Sequence, residues 1–270
     1  MLRGHHQKYH KLYLYSFDKK HPELHQIKDE DFIGCWEEDG LAIVFFHRPK
    51  DELLEKIAQK LGLKIEDKAE VSYDDWGEGR QVKTLEIGHV TLRPVWENGP
   101  GLVFDPGIVF GSGNHPTTKL CLKWIYQLWQ EKGPFKKVAD LGCGAGLLSL
   151  LAAFLGAQVL AADFNPLCVE LTRKNLALNN LLHQTEVIHA DVKTLVPFQA
   201  DLVVGNLFKG LLLDLFGLPS FWQNRHYLFS GFSPAMEDEL KAALWPYAKI
   251  KGREEENSWV VWYVENEKTP

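Results

Sequence analysis

Residues 138–166 read VADLGCGAGLLSLLAAFLGAQVLAADFNP, and the fold turns on how they are read. A short apolar strand runs into Gly142, Gly144 and Gly146, an apolar helix follows, and a second strand ends on Asp163. Glycines at a strand-to-helix junction let the backbone turn tightly and come close to a ligand. A carboxylate at the end of the next strand can accept hydrogen bonds from both hydroxyls of a ribose, so the pair implies a nucleoside. The spacing is G-x-G-x-G and not the G-x-G-x-x-G of the dinucleotide fingerprint, although an NAD site stays conceivable. A P-loop is excluded, because no Gly-Lys-Ser/Thr follows Gly146.

Outward from this stretch, strand patterns at 137–141, 158–163, 185–189 and 202–204 alternate with helix-length segments. Such alternation predicts a mostly parallel sheet with helices on both faces. Three further strands are expected in HYLFSGF (226–232), AKIKGREEE (248–256) and SWVVWYVE (258–265), the last two as an antiparallel hairpin whose charge run is solvated. Asp191, in HADV (189–192), ends the third strand. It is either the contact for an adenine amino group, with Val192 supplying a backbone N–H, or the N-cap of a short helix.

Asn206, in DLVVGNLFKGLLLDL (201–215), follows the fourth strand, where open α/β sheets place their chemistry. By pattern it is as readily a turn former or a cap. Asp140 before the G-x-G-x-G turn, with Asp163, resembles motif I of class I S-adenosylmethionine-dependent methyltransferases, and in a methyltransferase acting on amines Asn206 would have a sharper role. Methyl transfer from a sulfonium is an in-line displacement and needs a lone pair, which an ammonium lacks. Deprotonating a lysine at pH 7 costs about 4–5 kcal/mol, and desolvation lowers that cost. The Asn206 side-chain oxygen and the Leu207 carbonyl would accept the amine's hydrogen bonds and aim its lone pair.

Upstream, FDPGIVFGSGNHPTTKL (104–120) concentrates glycine and proline ahead of a helical run. Its His115 is expected to hold the loop backbone rather than to accept a proton, and Trp124 and Trp129 to pack. Toward the N-terminus, KLYLYSF (11–17) reads as a strand and FIGCWEEDGLAIVFF (32–46) as two strands around an Asp39-Gly40 turn. PKDELLEKIAQKLG (49–62) is a helix ended by Gly62. A small α+β unit results.

The 270 residues suffice for two unequal domains, and 45% hydrophobic with 24% charged residues is a globular composition. A formal net charge of -6 argues against general binding to nucleic acid. The four cysteines form no C-x-x-C pair, the His5-His6 doublet has no acidic or thiolate neighbour, and no metal is expected. With no apolar run near 20 residues, no membrane association and a cytoplasmic location are expected.

Asp140 before the first glycine, with G-x-G-x-G and Asp163, resembles motif I of class I S-adenosylmethionine-dependent methyltransferases over roughly residues 100–270. More specifically, PGIVFGSGNHPTT (106–118) resembles the P-G-x-A-F-G-T-G-x-H-x-T-T loop of the bacterial methyltransferases of ribosomal large-subunit protein eleven, the PrmA family. DWGEGRQVKTLEIGHVTLRPVWE (75–97), DFNPLCVELTRKN (163–175) and the Ser230–Phe232 segment SGF are similar to the same family.

The resemblance implies a seven-stranded, Rossmann-like methyltransferase sheet with a small N-terminal ferredoxin-like domain: recognition domain 1–72, linker 73–100, methyltransferase domain 101–270. It implies S-adenosyl-L-methionine as cofactor, with contacts at Thr118, Gly142, Asp163 and Asn206, and a ribosomal protein carried over the site by the N-terminal domain. No direct nucleic-acid contact is required, and oligomeric state is left open. The chain departs from the family pattern at Val109, at Ser112, and at Phe208 and Lys209, which make NLFK of the usual N-I-L-A or N-L-x-A. An amine methyltransferase for another protein or a small metabolite is the alternative, and a non-catalytic cofactor-binding protein a further one.

Overall fold

The computed structural model describes residues 10–38, 40–76 and 82–268; His5, His6, Asp39 and linker residues 77–81 lie outside them. The strand run in 138–166 becomes β8 (Lys137–Leu141) and β9 (Gln158–Asp163) of a seven-stranded sheet. The other strands are β10 (Thr185–His189), β11 (Leu202–Asn206), β12 (His226–Phe232), β13 (Ala248–Glu256) and β14 (Trp259–Asn266), in the order β10-β9-β8-β11-β12-β14-β13. The five strands from β10 to β12 are parallel, and β14 and β13 close the edge antiparallel. This is the class I methyltransferase sheet. Its order reverses between β8 and β11, so their C-terminal ends form the crevice where open sheets bind ligands.

Apolar residues cover both faces. Helices α2 (Pro116–Lys132), α3 (Leu147–Phe154) and α4 (Pro166–Leu178) bury Leu120, Leu150 and Leu176 on one side. On the other, α5 (Lys209–Phe216) and α6 (Glu237–Ala243) bury Leu212, Leu215 and Leu240 with Phe229 and Trp262. The charge run at the β13–β14 turn is more engaged than expected: Arg253 forms a two-pronged pair with Glu237, and Glu254 accepts from Lys123 and Trp124.

The N-terminal sheet consists of β1 (Lys11–Phe17), β2 (Phe32–Glu38), β3 (Leu41–Phe46) and β4 (Ile65–Ser72), ordered β2-β3-β1-β4 and antiparallel throughout. Helix α1 (Asp51–Leu61) precedes β4 and ends at Gly62 in the left-handed conformation. The strand order is ferredoxin-like, but the first crossover is only a 3₁₀ turn at Pro22–Gln26, whose Leu24 joins α1 in covering Phe17, Val44 and Phe46. The opposite face, with Leu12 and Phe45, merges into the core of the larger sheet.

Between the two, β5 (Leu85–Ile87) and β6 (Val90–Pro94) form a hairpin, and β7 (Leu102–Phe104) joins β6 in parallel. Among the described residues, no helix is long and apolar enough to cross a membrane.

Candidate active site

The turn after β8 is held from three sides. The Gly142 and Cys143 amides donate to the Ala162 carbonyl at 2.8 and 3.1 Å, and the Ala145 amide donates to the Phe110 carbonyl at 2.9 Å. Gly144 lies at φ +54, and a Cβ there would stand 2.4 Å from the Phe110 oxygen, so the position admits only glycine. The Gly144 amide donates to Asp163 Oδ2 at 3.0 Å, and the Asn165 amide to Oδ1 at 2.9 Å. Burial raises the Asp163 carboxyl above its ordinary range, against the pull of these two donors.

Among the described residues six buried side-chain polar atoms have no hydrogen-bond partner; three belong to Asp140 (Oδ1), Thr118 (Oγ1) and Asn206 (Oδ1), and the others to Arg93, Trp129 and Asn224. Asp140 is the last residue but one of β8 and Asn206 ends the adjacent parallel strand β11, with Asp140 in register with Val204 and Leu141 with Gly205. Thr118 lies in the first turn of α2, which packs across β11 and β12. Orphaned buried groups of this kind are rare, because each forfeits its hydration. Asp140 is 1% exposed, and its other oxygen accepts from Ser149 Oγ at 2.6 Å. Burial pushes its carboxyl up to about 6; the Ser149 contacts resist the rise and the Asp163 charge adds to it.

Leu207, the residue after β11, sits among glycines. Cβ atoms at Gly142 and Gly205 would meet its side chain at 2.5 and 3.3 Å. One at Gly231, where φ is +96, would fall 2.1 Å from its carbonyl oxygen. The Leu207 amide donates to the Ser230 carbonyl at 3.0 Å, so the SGF segment of β12 fixes the backbone just past Asn206.

His115 holds backbone, as expected. It caps α2, its Nδ1 accepting from the Thr117 amide at 3.3 Å and contacting the Thr117 hydroxyl at 2.8 Å. Burial lowers its pKa, and its ring stacks edgewise on Trp259 and tilts against Phe110. Asp191 caps the 3₁₀ turn Val192–Leu195 through the Lys193 amide at 3.0 Å, and its side chain is exposed while Val192 is buried. The Ala190 amide donates to the Asp163 carbonyl at 3.0 Å, which sets the Asp191 turn beside the end of β9. Val109 is absorbed into the core.

Two residues beside the candidate positions were not among the sequence candidates. Asp140 entered only as part of a motif, and its orphaned oxygen depends on burial that no local pattern displays. Phe164, directly after Asp163, is 65% exposed, and an aromatic in a strand-end turn was the available signal. Phe208 is likewise 66% exposed, its ring lying over Gly210, while Lys209 pairs with Glu239 at 2.6 Å.

The family model described as "Ribosomal protein L11 methyltransferase (PrmA)" matches residues 16–267. A protein of that name from Caldanaerobacter subterraneus subsp. tengcongensis is 31% identical over 204 residues, 71% of this chain and 65% of that protein. One from Thermoanaerobacter sp. (strain X514) is 30% identical over 266 residues, covering 87% and 84%. The crystal structure of a ribosomal protein L11 methylase from Lactobacillus delbrueckii subsp. bulgaricus matches with a TM-score of 0.60 at 27% identity, over 68% of this chain and 98% of that one.

Proposed function

The chain belongs to the ribosomal protein L11 methyltransferase (PrmA) family, and from that premise we infer that it methylates lysine or α-amino groups of a large-subunit ribosomal protein. We take S-adenosylmethionine as the donor, which supplies an electrophilic methyl group on a sulfonium. The observation that carries this reading is that Asp140, Thr118 and Asn206 each bury a side-chain oxygen with no hydrogen-bond partner in the protein, two of them on the adjacent parallel strands β8 and β11. A ligand with an ammonium and hydroxyls at one end and a nucleoside at the other would satisfy them.

In this reading Asp163 accepts from the ribose hydroxyls, while Gly142, Gly144 and Gly146 let the backbone approach. Asp191 and Val192 meet the adenine edge. Asp140 and Thr118 receive the polar methionine end. Asn206 Oδ1 and the Leu207 carbonyl accept from the acceptor amine and point its lone pair at the methyl carbon; proximity and orientation then supply much of the acceleration. Water carries off the proton, because no free carboxylate is needed where desolvation already favours the neutral amine. Residues 1–72 serve recognition, 73–100 link, and 101–270 hold the chemistry, in the cytoplasm.

Titration calorimetry with S-adenosylmethionine tests the cofactor. Thr118→Val is expected to weaken binding about tenfold with little change in Tm; equal affinity would remove Thr118 from the site. Incubation with labelled cofactor and purified ribosomal protein L11, followed by mass spectrometry, tests the acceptor. Exposed Phe208 and paired Lys209 beside Asn206 favour one second reading, the same chemistry on a different amine. Labelling in a whole lysate that leaves the ribosomal protein unlabelled would establish it instead.

A further inference from the structure

The loop from Asp105 to Phe110 joins three parts of the molecule. At its start, Asn175 of α4 clamps Asp105, accepting from its amide at 2.7 Å and donating to its carbonyl at 2.9 Å, and Lys174 pairs with its carboxylate. At its end, the Phe110 carbonyl receives the Ala145 amide and stands over Gly144, so it forms one wall of the glycine turn. In its middle, two consecutive carbonyls are gripped from the N-terminal side: the Tyr73 hydroxyl donates to Gly107, and Trp76 Nε1 donates to Ile108 at 2.8 Å.

Both donors belong with the N-terminal sheet. The Tyr73 amide donates to the His10 carbonyl just before β1, and the Trp76 ring packs edgewise on Phe45 of β3 with centroids 5.3 Å apart. Beside the loop a cavity of about 150 Å³ is lined by Phe32, Ile33, Gly107, Ile108 and Leu171. The Gly107 amide also donates to Asp105 Oδ1 at 3.0 Å, and a Cβ at Gly107 would meet Leu171 at 2.4 Å, so hydrogen bonds and close packing together fix the 107–108 backbone.

We propose that Tyr73 and Trp76 are positioning residues through which docking of the N-terminal sheet sets the geometry of the cofactor turn. The inference rests on the reading of that turn as a cofactor site. The two events are then linked reciprocally: seating the sheet tightens cofactor binding, and the cofactor tightens the seat of the sheet by the same factor. An acceptor protein that shifts the sheet thereby changes cofactor affinity without touching the cofactor.

The test uses the full chain and the variants Tyr73→Phe, Trp76→Phe and their combination, which keep the rings and remove the donors. Calorimetry with S-adenosylmethionine is expected to give a Kd raised roughly three- to tenfold in each single variant and further in the double. Hydrogen exchange is expected to show faster exchange at the Ala145 amide in the double variant, and slowing of β3 amides by cofactor in the wild type only. A purely structural role would lower Tm and leave Kd and the β3 response unchanged, and that result overturns the proposal. If the wild type binds no S-adenosylmethionine, the functional reading falls; unchanged Ala145 exchange in the cofactor-free double variant then overturns the positioning role independently.

Discussion

Asp140 is held in an environment that opposes its charge. Its folded pKa of about 6 lies above the ordinary 3.8, so the folded state binds more protons than the unfolded chain between those values. Stability from this group is therefore present at low pH and lost as pH rises through about 6, a cost of about 3 kcal/mol at neutrality. Asp140→Asn keeps an acceptor for Ser149 and removes that cost. We expect it to raise the Tm of the cofactor-free protein at pH 8 while weakening S-adenosylmethionine binding tenfold or more; melting and calorimetry at that pH check both signs. In the wild type, affinity is expected to fall as pH drops below about 6, where the carboxyl protonates. Gly231 offers a cleaner test of the acceptor side. Gly231→Ala drives a Cβ onto the Leu207 carbonyl, so kcat for methyl transfer in a steady-state assay is expected to fall at least tenfold. Thr118 was marked only through the family resemblance, whereas the strand-end places of Asp163 and Asn206 were legible from local pattern. The solvation of Asp140 was not, because it depends on what α2, α3 and β9 bring across the chain.

Helix α2 shows how an element boundary carries both stability and pH dependence. His115 Nδ1 accepts from the Thr117 amide, so the cap requires the neutral imidazole, and burial lowers the His115 pKa accordingly. The unfolded chain takes up its proton near the ordinary value of 6.5 while the folded chain resists. The stability contributed is therefore intact above about 6.5 and is lost as pH falls toward the lower folded pKa. His115→Asn preserves a side-chain cap without titration, and its Tm is expected to decline less than that of the wild type between pH 7.5 and 5.5. An equal decline would assign the acid sensitivity to other groups, His226 first, since burial lowers its pKa as well. Most elements of the large sheet were legible, from 137–141 through the β13–β14 hairpin, because buried strands are continuous apolar runs set apart by turns. Strand β4, IEDKAEVS, was not: an edge strand with exposed charges shows no alternation to read. Strand β7 is only three residues long and is defined by its partner β6.

At the scale of the molecule, the N-terminal sheet is covered on both faces, by α1 and Leu24 on one and by the methyltransferase body on the other. Phe45 is fully buried in that junction, against Trp76. Phe45→Asp would bury an unpaired carboxylate. We expect it to release the sheet, so that limited proteolysis separates it faster from a large sheet that still melts cooperatively; resistance equal to wild type would mean that the docked face contributes little. The strand alternation announced two units, but their packing was not legible, since Leu12 and Phe45 read as ordinary core residues of their own strands. Ferredoxin-like order was expected from the family resemblance and not from strand content, since β4 escaped reading, and the reduced first crossover was not legible because PELHQ carries too few residues for any period.

That shared face also has a consequence for how the chain is made. The sheet is complete once Ser72 has emerged from the ribosome, yet part of its cover, Ile108 and Leu167 of the larger body, follows up to about a hundred residues later. At roughly 5–20 residues per second, the apolar side bearing Leu12 and Phe45 stays bare for several seconds on every nascent chain. The order of synthesis thus makes the first-built part of the protein the last to be safe from aggregation, and a chaperone bound during that interval would recognise the surface that the finished enzyme hides.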